Sequence, residues 1–422
     1  MSHPFLTLDA ASRRQFMLST AKSALGVSVL SHFDLLQAAS EPAKRKGKAK
    51  AVIALYMGGG MTHIDTWDPK TGETKGFKDP IRTNADGIQL GGYMTKMAKQ
   101  ADKITIVRSM SSKVGAHAQG NYLMHTGYDP RGTIIHPTLG SWAQHHLGRS
   151  HRTLPSSVVV GAGTSNAGFF PPALAPIPIS NPEIGLTNAK ATVDDATFRD
   201  RISLMGELDS GFRSKFNVAP VKAYSEFYDE TMKLLTSEDL LAFDIRKESD
   251  ATQKLYGPGF GRSCLLARRL VQHGVRHVEV HMGGWDMHND VDASMSKNGG
   301  SMDAGFAALL QDLKDTGLLD TTMVVMFSEF GRTPRINENK GRDHYPKVFS
   351  TVFAGGGVKG GFVYGSSDAN GTEVADKQVT PQDFMATVGA GLGLPIETVV
   401  TSPSGRPFTI GDKGRAISDI FA

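Results

Sequence analysis

Three groups of side chains able to ligate a metal or move a proton stand out in the 422-residue chain. The first is His63 with Asp65. The second is His281, Asp286 and His288. The third is Glu329, followed at short range by Arg332, Asp343 and His344. Imidazole nitrogens and carboxylate oxygens together suit zinc, manganese or ferrous iron better than magnesium or calcium, which prefer oxygen alone. A single loop carboxylate is ordinarily a turn residue or a helix cap, so each group alone is a weak signal. Their joint placement is stronger, because each group falls just beyond a segment with the character of a buried strand.

Those segments are Ala51–Met57 (AVIALYM, running into Gly58-Gly59-Gly60), Val275–His281 and Thr321–Phe327. Short apolar runs of this kind read as strands covered on both faces. Further strands are expected at Lys103–Val107 and Ser156–Val160. Helices are expected at His117–His125, Phe260–His273, Ser301–Thr316 and Gln382–Gly391, and at His136–His146 with Pro137 in the first helical position. Helices alternating with apolar strands imply an α/β fold with a doubly wound, mostly parallel sheet. Such a sheet brings the three groups to one edge, the edge where open α/β sheets bind ligands. The charged, helical stretch 194–250 carries no chemical motif and reads as an insertion or cap. Gly58–His63 lacks the ending of a P-loop, residues 163–168 miss the nucleophile-elbow spacing by one, and AGGGVKGG (354–361) reads as a glycine-rich turn joining two short strands.

With 40% apolar residues the chain can bury a sizeable core. Much of its net charge of +4 comes from Lys44, Arg45, Lys46, Lys48 and Lys50 in one run, so no basic face for a nucleic acid is expected. Cys264 is the single cysteine and falls in a helical apolar pattern, where it reads as a core residue. The first forty residues read as an export address. Ser12-Arg13-Arg14-Gln15-Phe16-Met17 matches the twin-arginine consensus, and Ala38-Ala39-Ser40 offers a cleavage site. The segment between them is interrupted by Lys22, His32 and Asp34, too polar for a transmembrane helix. The expected organisation is a signal peptide (1–40), a basic linker (41–50) and one domain (51–422). The mature protein is expected in the periplasm or secreted, after handling by the twin-arginine export machinery, with no stable membrane span after cleavage. That route carries folded proteins, which suits a chain that takes up a metal in the cytoplasm and uses no disulfide.

MGGGMTHIDTWDPK (57–70), GGWDMHND (283–290), FSEFGRTPRINENKGRDHYP (327–346) and AGGGVKGGFVYG (354–365) together resemble an uncharacterised bacterial family, number 1501 among the domains of unknown function. The resemblance spans nearly the whole mature chain. That family is placed with the alkaline phosphatase and sulfatase superfamily. The resemblance therefore implies an alkaline-phosphatase-like fold and hydrolysis of phosphate or sulfate esters with one or two divalent ions, zinc or manganese being expected. It implies Asp65 as the metal ligand after the first strand and Asp286 and His288 after a later one. Glu329 and Phe330 replace the Asp and His of a Ser-Asp-His-Gly pattern, and His344 is the late ligand with Asp343 beside it. Thr126-Gly127 resembles a sulfatase pair whose nucleophile lies ten residues before the glycine. That count puts His117 in the nucleophile slot and Asn121 where an arginine is expected.

The expected chemistry is attack by a metal-activated water, or by His117 acting as nucleophile, base or further ligand, with Arg332 pairing with the anionic ester. Asp65, Asp286, His288, Glu329 and His344 are expected around one pocket. Substrates would be anionic esters, those carried on polysaccharides included. The alternative is a non-catalytic secreted protein that keeps the metal and binds a polysaccharide or a protein partner.

Overall fold

Every residue of strand β1 (Ala51–Met57) is buried. Ile53, Leu55 and Met57 feed one apolar layer, while Val52, Ala54 and Tyr56 feed another. This is the alternation of a strand covered on both faces. The computed structural model describes residues 47–422, apart from 164–165, 188, 190–191, 217, 219–220 and 222–228. The expected leader and most of the basic linker lie outside the described residues.

β1 stands inside an eight-stranded sheet. The other strands are β2 (Ile104–Met110), β3 (Ser157–Val160), β4 (Ile177–Ile179), β5 (His277–Met282), β6 (Thr322–Phe327), β7 (Phe349–Ala354) and β8 (Phe362–Tyr364). Their spatial order is β8-β2-β7-β6-β1-β5-β3-β4. Only β7 runs antiparallel to its neighbours, β6 and β2. Tyr56 pairs in register with His281 of β5 and with Phe327 of β6. The carboxyl ends of β5, β1 and β6 therefore finish level, and the loops that leave them share one edge.

Helices among the described residues include α1 (His117–Thr126), α2 (Leu139–Leu147), α3 (Asp195–Lys215), α4 (Asp250–Tyr256), α5 (Phe260–Gln272), α6 (Gly300–Asp315) and α7 (Pro381–Gly391). α5 and α6 pack one face through Cys264, Leu265, Leu266, Phe306, Leu309 and Leu310. α1, α2 and α7 pack the other through Met124, Trp142, Phe384 and Val388. Each such side chain contributes about 1.5–3 kcal/mol on burial. Cys264 is fully enclosed, and burial pushes its thiol pKa up, so it is an inert core residue. Among the described residues no helix is long and apolar enough to cross a membrane.

Local chemistry sets the helix ends. Thr380 and Asp383 cap α7 reciprocally, with Pro381 in its first turn. α1 stops at Gly127, whose φ of 76° is left-handed. A Cβ on Gly127 would lie 2.6 Å from Gly411 Cα, so the Thr126-Gly127 pair is first of all a helix stop. α2 begins at Leu139 with Thr138 as N-cap, three residues later than expected, and Pro137 stays outside it. The reason is tertiary. His136 stacks on Tyr128 at 4.3 Å and is bonded to the Tyr122 hydroxyl through both its ring and its backbone N–H, which holds residues 136–137 as loop. In the stretch expected as an insertion, α3 is followed by 3-10 turns at Glu238–Phe243 and Ile245–Lys247 before α4.

Candidate metal centre

The loop leaving β1 carries the tightest turn of the edge. Gly59 has φ 121°, and a Cβ there would meet the Asp286 nitrogen at 2.4 Å, so only glycine lets this loop lie against the one that follows β5. The Gly59 N–H donates to Glu329 Oε1 at 2.8 Å. Beyond β6, a two-residue ribbon pairs Arg332 with His344. Helix α1 opens with His117, and its N-cap Ala116 supplies no capping side chain. Four elements distant in sequence thus meet around His117, Asp286, His288 and His344.

The histidines are held in one tautomer each. His117 Nδ1 lies 2.8 Å from Glu329 Oε1, His288 Nδ1 2.7 Å from Asp343 Oδ1, and His344 Nδ1 2.8 Å from the Gly115 carbonyl. All three partners are acceptors, so each Nδ1 carries a hydrogen, and in the neutral ring the Nε2 lone pair turns the other way. Those lone pairs converge on Asp286 Oδ1, at 3.4 Å from His117, 3.0 Å from His288 and 3.2 Å from His344. His288 Nε2 and His344 Nε2 are 3.1 Å apart. Donor atoms about 2.0–2.1 Å from a tetrahedral ion stand roughly 3.3 Å from one another, so these separations are those of ligands around one ion. Acceptors facing acceptors at this distance repel unless a cation lies between them, and His117 Nε2 is buried without a hydrogen-bond partner. The donor set, three imidazoles and one carboxylate, fits a zinc-class divalent ion.

Burial alone would raise the Asp286 carboxyl, but the Arg332 guanidinium bonded to it outweighs this and holds the pKa down at about 2. The hydrogen bond from His288 lowers Asp343. Beside His117, Asp286, His288 and His344 lies a cleft of about 470 Å³, bordered by Tyr56, Gly58, Asn121, His281 and Ala118 of the first turn of α1. The Asn121 amide donates to the Tyr56 hydroxyl at 2.9 Å. Burial and the Glu329 carboxylate push that phenol up, so it is a neutral donor.

The remaining expected site residues are used differently. Asp65 lies at the same edge but stays out of the cluster. Its Oδ2 takes hydrogen bonds of 2.7 Å from both Arg342 Nε and the Thr62 hydroxyl, and Arg342 Nη2 lies 3.4 Å from Oδ1. Both partners are buried, so the carboxylate is spent on closing the loop after β1. His63 is likewise enclosed, 2.9 Å from the Gly371 carbonyl. Glu329 and Asp343 accept hydrogen bonds from His117 and His288. Arg332 has little to offer an anion, being fully enclosed with four of its five N–H groups engaged. Its Nε reaches the Gly60 carbonyl and its Nη1 the Arg342 carbonyl, both at 3.0 Å, and its Nη2 serves the Gly59 carbonyl and Asp286. It fixes Asp286 rather than a substrate.

Residues 49–421 match the profile of a family described as Protein of unknown function (DUF1501), and the chain belongs to that family. No curated protein matches it. The solved structures to which it is similar include the lipoteichoic acid synthase LtaP from Listeria monocytogenes, with 11% identity over 85% of this chain and 75% of that one, at a TM-score of 0.36. The PsFucS1 sulfatase from Pseudoalteromonas sp. is 12% identical over 89% of this chain and 72% of that one, at 0.39. The alkaline phosphatase from the Antarctic bacterium TAB5 is 12% identical over 82% of this chain and 99% of that one, at 0.35.

Proposed function

We propose that this DUF1501 protein is an exported, metal-dependent hydrolase of phosphate or sulfate esters, with one divalent ion held by His117, Asp286, His288 and His344. The convergence of three tautomer-locked Nε2 lone pairs on Asp286 Oδ1 carries this reading. When bound, the ion supplies Lewis acidity, which offsets charge on the ester oxygens and lowers the pKa of a water ligand toward neutrality. Glu329 and Asp343 raise the basicity of His117 and His288 by accepting their Nδ1 hydrogens, and Arg332 keeps Asp286 ionised and aimed. The uncapped N–H groups at the start of α1 border the cleft and favour an anionic ester oxygen there. His117 is a ligand in this reading, so the nucleophile is water and no covalent bond to the chain forms.

The test is elemental analysis of the purified mature protein beside a panel of phosphate and sulfate esters. Wild type should hold a zinc-class ion and hydrolyse at least one ester class, and His117→Ala should lose both while keeping its fold. An ion with no hydrolysis would favour the non-catalytic binding protein, and a His117→Ala variant that kept ion and activity would remove His117 from the site. Export rests on the Arg13-Arg14 motif. Replacing both arginines with lysine should leave the protein in the cytoplasm with its leader uncut, and normal yield in the periplasm would refute the leader.

A further inference from the structure

A second set of ligand-type side chains is built into the sheet itself. In β5, His277, Glu279 and His281 alternate with Val278 and Val280, which belong to the opposite layer, so all three face α1. Glu279 is buried in mid-strand, where a lone carboxylate would be costly. Its Oε1 lies 2.5 Å from His281 Nε2 and 3.2 Å from Nε2 of His125 on α1. His125 Nδ1 donates to the Asn121 carbonyl at 2.7 Å, so Nε2 is the ring atom left to take a proton or an ion; burial alone would lower the ring's pKa, but the Glu279 carboxylate beside it raises it. That Nε2 is buried and has no hydrogen-bond partner, because the Glu279 oxygen is near it but off the direction a hydrogen bond requires. A close, off-axis carboxylate oxygen is where the second ligand of a shared ion stands. The same relation holds between His117 Nε2 and Asp286 at 3.4 Å.

We infer that His125, Glu279 and His281 form a second metal site, which takes a zinc-class divalent ion through two imidazole nitrogens and one carboxylate oxygen. The three ligand atoms all lie within 4.8 Å of one another. Two histidines and one carboxylate leave a fourth position open. A cavity of about 20 Å³ lies against His125 and Glu279, large enough for one water-sized ligand. His281 borders the cleft, which gives an ion a way in. The site shares no ligand with the first centre. The Tyr56 ring packs on both its histidines, at 4.6 Å from His125 and 4.9 Å from His281. An ion here ties β5 to α1, the helix that carries His117. The competing occupants are protons, one between His125 and Glu279 and one in the short His281–Glu279 hydrogen bond, and an ion must displace both.

Metal-free mature protein titrated with cobalt or zinc separates ion from protons. Metal per chain is read by mass spectrometry and cobalt coordination by visible absorbance. Wild type should take up two equivalents, Glu279→Gln and His344→Ala one each, and the double variant none. Glu279→Gln should also lose part of the metal-induced rise in melting temperature. A wild type that binds a single equivalent, or a Glu279→Gln protein that still binds two, overturns the site. Should Glu279→Gln fail to fold, His281→Gln at the cleft margin gives the same count, and the wild-type stoichiometry decides by itself. A single equivalent lost with His344→Ala would sink this site and leave the ester-hydrolase reading standing.

Discussion

Two regions of the molecule gather charged side chains from distant segments, and they do so to opposite ends. Between α4, α5 and α6, Glu248 receives Arg268 Nη2 at 2.7 Å on one oxygen and Arg269 Nη1 at 2.5 Å on the other. Asp312 lies 2.7 Å from Arg268 Nε as an ion pair and receives the Tyr256 hydroxyl at 2.9 Å. Opposite charges meet there, and protein atoms supply both signs, although Arg268 Nε and Arg269 Nε make no hydrogen bond of their own. At the carboxyl edge of the sheet, Nε2 lone pairs meet a carboxylate oxygen and one another. The first region is a clamp and the second is a socket. Residue type does not separate them, since both use charged groups from three or more elements. The sign of the facing atoms does.

The largest effect should come from emptying the socket. His344→Ala removes one Nε2 and should cost more than the roughly 100-fold in metal affinity that marks the upper range for losing an outer partner. Ester hydrolysis should fall with it while the melting temperature of the metal-free protein barely moves. A large loss of metal-free stability would mean that the histidines work as a clamp after all. The converse change is Arg268→Met, whose side chain is nearly enclosed and whose loss strands Asp312. Breaking a buried pair from one side costs about 3–5 kcal/mol, so the variant should unfold at clearly lower urea concentration with its metal content intact. Loss of metal there would couple two regions that this comparison keeps apart.

Smaller effects should come from the acceptors behind the ligands. Asp343→Asn and Glu329→Gln keep an oxygen for the Nδ1 hydrogen but remove the charge. Each should lower metal affinity by up to about 10–100-fold, well short of His344→Ala. If either matched the loss of a ligand, that carboxylate would itself be a ligand.

How much of this was legible in the chain follows from the range of the forces involved. β1 was readable to the residue, because burial on both faces leaves an unbroken apolar run. Asp286 and His288 were readable as strand-end residues for the same reason. The pairing of Asp65 with Arg342 was not legible, because Arg342 lies 277 positions away and spacing carries no trace of so distant an ion pair. The burial of Arg332 was not legible either, because the ribbon with His344 that encloses it is made of two residues on each side. His117 was reachable only by counting back from Thr126-Gly127, a count that left it as nucleophile, base or further ligand; the Glu329 contact at its Nδ1 favours the last of these in the reading proposed above. Glu279 did leave a signal that went unread. A glutamate centred in an apolar strand, with histidines two residues to either side, places three polar groups on one face.

The smallest effect tests the clamp by acid. Burial would raise the Glu248 pKa, but Arg268 and Arg269 reverse this and hold it below the ordinary value of 4.5. A carboxyl depressed in the folded state binds fewer protons there than in the unfolded chain, so its contribution is complete above the ordinary value and is lost as pH falls through the folded one. The stability gap between wild type and Glu248→Gln, measured by urea unfolding of metal-free protein, should therefore be flat from neutral pH to about 5 and should close progressively below about 4.5. Asp286 obeys the same sign, with a folded pKa of about 2. Its side chain is half exposed, however, so replacing it with asparagine should change acid stability less than Glu248→Gln does. The reverse order would place the stronger clamp at the carboxyl edge and undo the distinction between the two regions. A gap for Glu248→Gln that stayed constant down to pH 3 would show that its arginine contacts contribute nothing specific to the charged form.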